Sequence, residues 1–393
     1  MRILVLTKRQ YTGRDLLDDH YGRLFEIPKS LARLGHQVHG LALSYRRRDN
    51  NCPPPEVAGG ALWETMNALP FSPIGARQHL KRIREICRQF RPDIVWASSD
   101  AWHAIAARIT CPPFEIPYVV DLYDNYESFG LSKIPGVAQL FRTACRSASG
   151  LTPVSSTLAD HLQTHYSLPS DLPCLCLGNA VNTEHFKPID KQKSRQALGL
   201  SPTDILIGTA GALDASRGIS TLLEAYSELL TAIPSLRLVL AGPRDHTLDR
   251  FRHLPIHDLG ILAADRIPLF WNALDVGIIQ NRDSAFGKYC YPQKLHEIVA
   301  CGVPLVATGV GEISILLNDF PECLVEPDSP SKLAKQIAVQ IVGKTLIDCS
   351  QVRTWEQRAK ELSVFLESIK SAPRKRAETH RQHLKHPANP SVN

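Results

Sequence analysis

The residues best equipped for chemistry stand between Asp275 and Glu312, in DVGIIQNRDSAFGKYCYPQKLHEIVACGVPLVATGVGE. Lys294 and Glu297 lie three apart in QKLHEIVACG, which reads as a helix closing at Gly302, so both side chains can enter one crevice. An ammonium is a natural counter-charge for phosphate, and a carboxylate a natural acceptor for sugar hydroxyls. A helix start beyond a strand also suits an anion such as a diphosphate. The loop ahead of this helix carries Phe286, Gly287, Tyr289, Tyr291 and Pro292, and VGIIQ and PLVAT flank the segment as short strands. The plain alternative is a surface lysine and glutamate at helical spacing.

Positioning such a crevice requires a scaffold, and the pattern predicts one. RILVLT, VHGLALS, DIVWASS, YVVDLY and GLTPVS are strand-like runs, with FEIPKSLARLGH and STLADHLQTHY as helices among them. A proline-marked stretch, LPSDLPCLCLGNAVNTEHFKP, leads to a second series: ILIGTAG, GISTLLEAYSELLTAI, RLVLAGP, IPLFWNAL, the window above, CLVEP and SKLAKQIAVQIV. Strand–helix alternation of this kind predicts an α/β chain of two Rossmann-like, doubly wound domains facing across a cleft. The expected bounds are 1–180 and 181–352, then an amphipathic terminal helix over 353–371 and a basic, disordered tail over 372–393. Ligands of such sheets bind beyond the carboxyl ends of the strands.

The chain has 393 residues, 44% of them hydrophobic and 21% charged, which fits two globular cores. No apolar run is long enough to span a membrane, and MRILVLTKRQ reads as a first strand rather than a signal peptide. Ten scattered cysteines without C-x-x-C argue against a disulfide framework or zinc site and for a reducing cytoplasm. Cys145 and Cys301 read as small core residues. The net charge is +6, with Arg374, Lys375, Arg376, Arg381 and Lys385 opposed only by Glu378 in the tail. Arg46-Arg47-Arg48 and the helical ARQHLKRIREICRQFRP, apolar at Leu80, Ile83, Ile86 and Phe90, add a basic N-terminal surface. That surface is either a peripheral contact with anionic lipid at the inner membrane face or a solvated helix face. Nothing resembles a nucleic-acid-binding module. G-x-G-x-x-G, G-x-x-x-x-G-K-[ST] and G-x-S-x-G are all missing, against a nicotinamide dehydrogenase, a P-loop enzyme or an α/β-hydrolase.

Five segments resemble the family 4 glycosyltransferases of the GT-B fold. MRILVLT with LARLGHQV is similar to their opening strand and helix, and GNAVNTEHFKP to N-G-V-D-x-x-x-F-x-P. GALDASRGISTLLEA resembles G-R-L-x-x-x-K-G-x-x-x-L-L-E-A, LHEIVACGVPLVAT resembles L-x-E-A-x-A-x-G-x-P-V-V-A-T, and TWEQRAKEL resembles the terminal W-E-x-x-A. The resemblance implies a nucleotide-diphospho-sugar donor on the C-terminal domain, a glycan or lipid-linked acceptor on the N-terminal domain, and transfer with retention. No D-x-D appears, so the sequence requires no metal, and no other cofactor is expected. Arg217 stands where the family has its phosphate-binding lysine, Lys294 can share that duty, and Glu297 matches the glutamate that contacts the donor ribose. Gly211, Gly242, the backbone of Gly260 and Ile261, and the Phe286–Gly287–Tyr289 turn complete the implied donor site.

Departures from the family pattern are also visible. Tyr289 replaces the upstream one of two glutamates eight apart, Ala212 replaces an arginine, and Asp18-Asp19-His20-Tyr21-Gly22-Arg23 replaces a glycine-rich turn. Gly22, Arg23, His103, Asp121 and Asp124 are the acceptor-side candidates, Tyr123-Asp124 standing where a His-Asp pair is frequent. Arg217, Lys294 and Asp124 are the catalytic candidates, with positioning and charge stabilisation dominant. For Asp121 and Asp124 the alternative role is capping, and for His103 a satisfied helical histidine. A nucleotide-sugar epimerase on the same fold, a phosphorylase and a catalytically degenerate binding subunit are the rival readings. No lysine has a context suited to a pyridoxal Schiff base, which disfavours the phosphorylase.

Overall fold

The computed structural model describes residues 1–372 apart from 12–13, 21, 46–54, 68–71 and 129. The expectations placed on Arg46-Arg47-Arg48, on Tyr21 and on the basic tail beyond Ala372 lie outside the described residues. In the first lobe the chain forms β1 (Arg2–Lys8), β2 (Gln10–Tyr11), β3 (Arg14–Asp15), α1 (Arg23–Arg33), β4 (Gln37–Leu43), β5 (Glu56–Ala58), β6 (Ala61–Met66), α2 (Pro73–Phe90), β7 (Ile94–Ala97), α3 (Ala101–Thr110), β8 (Tyr118–Leu122), α4 (Val137–Arg146), β9 (Gly150–Pro153) and α5 (Ser156–His165). The second lobe contains α6 (Lys191–Leu198), β10 (Ile205–Ala210), α7 (Ile219–Ala232), β11 (Leu236–Ala241), β12 (Ile256–Asp258), α8 (Ile267–Ala273), β13 (Val276–Ile279), α9 (Ala285–Tyr289), α10 (Gln293–Ala300), β14 (Leu305–Thr308), α11 (Glu312–Leu316), β15 (Leu324–Val325) and α12 (Pro330–Gly343), and α13 (Trp355–Ser371) ends the described chain.

The first sheet runs β5-β6-β4-β1-β7-β8-β9, parallel except for β5 against β6. The second runs β12-β11-β10-β13-β14-β15 and is parallel throughout. Helices cover both faces, so the central strands are apolar along their length rather than alternating; β1 is buried from Ile3 to Thr7. The β5–β6 hairpin was not legible in the sequence, because Leu62 faces outward and breaks the apolar rhythm. Its register is held by Trp63, whose ring lies where a Cβ on Gly40 would sit, 2.2 Å away. α2 forms as the periodicity predicts, with Ile83, Ile86 and Cys87 inward. Part of its basic face is tied up, since Arg82 bonds Glu64 and Glu85 and Lys81 pairs with Glu85. Cys145 and Cys301 are buried.

Two chain crossings join the lobes side by side. Val181 N–H donates to Arg353 O at 3.0 Å, and Gln293 Nε2 of α10 donates to Ala180 O at 2.7 Å. Beyond them α13 packs against α1, placing Trp355, Ala359, Leu362 and Leu366 in the same apolar cluster as Leu24 and Ile27. Burial of side chains the size of Leu362 and Leu366 contributes about 1.5–3 kcal/mol each, enough to hold the last helix on the first lobe.

Candidate functional site

Between the lobes, the carboxyl ends of β10 and β13 open onto one crevice. β10 connects to β11 on one side, while β13 lies on the other, which makes this the switch point of the sheet. Gly211 follows β10 with φ +112°, and a Cβ there would stand 3.0 Å from Lys294 Cε. Its missing side chain is what admits Lys294, whose Nζ lies 3.5 Å from Thr209 Oγ1. Gly242, after β11, is constrained differently. At φ +137° its Cβ would lie 2.0 Å from Gly211 O, so it permits backbone to pass backbone, and it donates to Gly260 O at 2.8 Å. Gly260 and Ile261 thus form the rim beside this floor, with Ile261 exposed.

Arg217 reaches the crevice from a turn, Ala215–Arg217, capped by Asp214 Oδ1 on Arg217 N–H at 3.1 Å and ended by Gly218 in the left-handed region. Its guanidinium lies 3.6 Å from the Phe286 ring centroid, a cation–π stack that presents one face to the crevice. Glu297, on α10, is buried and accepts from Trp271 Nε1 at 3.0 Å. Among the described residues, no carboxylate pairs with Arg217 or Lys294 within ion-pair distance. Burial, reinforced by the repulsion of Arg217, pushes the Lys294 ammonium down to about 8. Burial pushes the Glu297 carboxyl up to about 7, opposed by its Trp271 bond and by the charge of Lys294. Arg14, which extends from β3 to donate to Leu262 O at 3.2 Å, also favours the ionised Glu297.

The facing wall is supplied by the first lobe. Asp124 follows β8 in the fields of Arg217 and Lys8, and burial raises its carboxyl above the usual carboxylate range. This is where the catalytic candidates Arg217, Lys294 and Asp124 come together. His103 lies behind that wall, fully buried, with Nδ1 2.7 Å from Asp100 Oδ1.

Several expected site residues are placed elsewhere. Arg23 and Asp121 are both fully buried and bonded to each other at 2.5 and 3.2 Å; Arg23 also donates to Leu177 O and Gly178 O, and Asp121 accepts from Ser98 and Thr152. The pair braces the first lobe to the crossing segment, so neither side chain reaches an acceptor, and Gly22 starts α1 behind it. Tyr289 turns toward the first lobe, its ring 4.6 Å from His161 and its carbonyl accepting from Ser155 Oγ at 3.0 Å. It belongs to the inter-lobe contact rather than to a donor pocket. The Phe286–Tyr289 stretch is a short helix, α9, and not an open loop. Gly287 N–H is occupied by the Ser284 cap at 3.2 Å, and its Cβ would strike Arg282 O at 2.2 Å, so this glycine serves packing. Glu312 adds a latch between lobes, accepting from Ser156 N–H and Oγ at 2.9 and 2.8 Å.

Reasoning from the sequence missed Lys8, Arg14, Tyr45, Ser99, Asp100 and Trp271. The end of a first strand was a usable signal for Lys8. The others depend on contacts between distant segments.

Two Rossmann-like lobes of mainly parallel sheet facing one another define the GT-B fold. The models of the glycosyl transferase 4-like domain and of glycosyl transferases group 1 match residues 23–172 and 204–341, and the chain belongs to the family 4 glycosyltransferases. It is 25% identical over 309 residues to a protein of Bacillus subtilis assigned to teichuronic acid biosynthesis as glycosyltransferase TuaC, covering 76% of each chain. To the D-inositol 3-phosphate glycosyltransferase of Acidothermus cellulolyticus it is 29% identical over 175 residues, 40% of this chain and only 38% of that one. Its fold superposes on that of Anabaena HepE in complex with UDP-glucose with a TM-score of 0.65 at 16% identity, covering 94% of this chain and 98% of the other.

Proposed function

We propose that this transferase moves a sugar from a nucleotide-diphospho-sugar to a hydroxyl of a glycan or lipid-linked acceptor, with retention. The observation that carries the reading is the convergence of Arg217, Lys294 and Glu297 on one crevice that faces Asp124. Two cations without carboxylate partners suit a diphosphate, and a buried carboxylate beside them suits ribose hydroxyls. HepE, of the same fold, was solved with UDP-glucose, which supports a nucleotide sugar as the donor class.

In this reading the bond between the anomeric carbon and the diphosphate oxygen breaks as the acceptor oxygen bonds that carbon from the same face. The acceptor proton passes to the departing diphosphate, whose growing charge Arg217 and Lys294 stabilise. Side-chain cations carry this charge, so the reading calls for no metal or other cofactor. Asp124 orients the acceptor hydroxyl. A cytoplasmic enzyme that meets a lipid-linked acceptor at the inner membrane face through its basic first lobe is consistent with the charge distribution. No helix among the described residues is long and apolar enough to cross a membrane.

The test is a thermal-shift screen of nucleotide sugars, followed by transfer and donor hydrolysis in wild type, Arg217→Ala and Glu297→Ala. Removing one such group lowers kcat by about 100-fold or more. Full turnover in both variants would remove the assignment. A second reading, a binding subunit without turnover, draws on Tyr289 facing away and on Ala212. Nucleotide binding with no transfer to any of a broad acceptor panel would favour it.

A further inference from the structure

The first lobe carries its own switch point. β1 connects to β4 on one side and β7 lies on the other, so its crevice opens beyond Lys8 and Ser98–Asp100. Lys8 closes β1 there as Lys294 stands over the end of β10 in the other lobe. The Lys8 ammonium lies 5.3 Å from the Tyr123 ring centroid, in the fields of Asp100 and Asp124, and no carboxylate among the described residues is within ion-pair distance of it. Lys8 is half-buried, and that burial depresses its proton affinity.

The surroundings are built to hold this geometry. Ser99 adopts φ +87°, a left-handed conformation unusual for serine and fully buried. The strain is held by three contacts: Ser99 N–H to Tyr126 Oη at 3.1 Å, Lys8 N–H to Ser99 Oγ at 2.7 Å, and Ser99 Oγ beside His103 Nδ1 at 3.3 Å. Asp100 is held in place, accepting from Tyr45 Oη through one oxygen and from His103 Nδ1 and His103 N–H through the other. Asp100 thereby sets a fixed negative field at Lys8.

Resting on the cleft assignment above, we propose that Lys8 is an acceptor-binding residue that reads uncharged sugar hydroxyls rather than a phosphate or carboxylate of the acceptor, with Asp100, Tyr45 and His103 positioning it. An ammonium lacking an ion partner takes oxygen lone pairs. An anionic substituent at the same point would meet Asp124 and Asp100, the two carboxylates whose fields reach Lys8. Hydroxyls satisfy both signs at once, donating to Asp124 and accepting from Lys8.

The experiment measures binding of neutral monosaccharides and of their monophosphates to the UDP-loaded full chain, by saturation-transfer NMR, in wild type, Lys8→Met and Lys8→Arg. The thermal shift produced by UDP is followed in parallel. The expected result is that neutral sugars bind wild type at least as tightly as their phosphates. Lys8→Met weakens them about tenfold, the loss of one charge-assisted hydrogen bond, and Lys8→Arg restores part of that, with the UDP shift unchanged in all three. A tenfold preference for the phosphates that vanishes in Lys8→Met would overturn the neutral-acceptor assignment. Equal binding in wild type and Lys8→Met, or no sugar binding to the UDP-loaded wild type, would overturn the role of Lys8. No UDP shift in wild type would instead refute the nucleotide reading on which the proposal stands.

Discussion

Titration of Lys294 offers the sharpest check on the proposed donor crevice. Burial and Arg217 hold its ammonium at about 8 in the free protein, against an ordinary 10.5. A bound diphosphate brings negative charge and restores the proton, so binding takes up a proton at alkaline pH and affinity falls as pH rises through 8. With a pKa of about 8, the protonated fraction drops from roughly three quarters at pH 7.5 to roughly one tenth at pH 9, so UDP affinity falls about eightfold. Isothermal titration calorimetry in buffers of different ionisation enthalpy measures both the affinity and the proton uptake. Lys294→Met is expected to bind UDP more weakly and with no slope over this range, while Glu297→Gln keeps the slope. The depression has an opposite consequence for folding. Between about 8 and 10.5 the native state binds fewer protons at Lys294 than the unfolded chain, so its contribution to stability rises with pH there. A flat wild-type profile, or the same slope in Lys294→Met, would refute the placement of this ammonium against the diphosphate.

Other expectations follow from particular contacts. Arg23→Met or Asp121→Asn strands a partner inside the first lobe and is expected to cost about 3–5 kcal/mol in denaturant unfolding, with the two changes together costing less than their sum. Gly242→Ala sets a methyl group 2.0 Å from Gly211 O at a φ of +137°, so nucleotide binding is lost with a large drop in melting temperature, whereas Gly199→Ala, with open space around it, leaves binding intact. Phe286→Leu removes the ring under Arg217 and should weaken UDP by the roughly 0.5–2 kcal/mol of a cation–π contact, read by calorimetry. Glu312→Ala releases the first turn of α5, and hydrogen exchange at Ser156 is expected to speed up while the core of β10 stays protected.

Fold class and the pairing of Lys294 with Glu297 on one helix were legible because both rest on local pattern. β1, β10 and β14 read as unbroken apolar runs since helices cover both faces of each sheet, and the spacing of Lys294 and Glu297 is a property of one helix. Arg217 was found through a motif that keeps a cation ahead of Gly218. α9 escaped notice because a single helical turn with a glycine inside leaves no period to detect.

What the chain order left open was decided by crossovers, which bring the ends of parallel strands together from far apart in sequence. Arg23 and Asp121 are 98 residues distant, and only their meeting inside the lobe turned two plausible ligand contacts into a buried brace. Tyr289 could face either lobe from its sequence; the docking of α9 on α5 turned it toward His161 and Ser155 of the first lobe. Lys8 ended a strand like any other until the segments after β7 and β8 set Asp100, Tyr123 and Asp124 around it. Periodicity reports which face of an element is buried, because burial repeats with the backbone. Which charges share a crevice depends on distances between elements, and those exist only once the sheets are assembled.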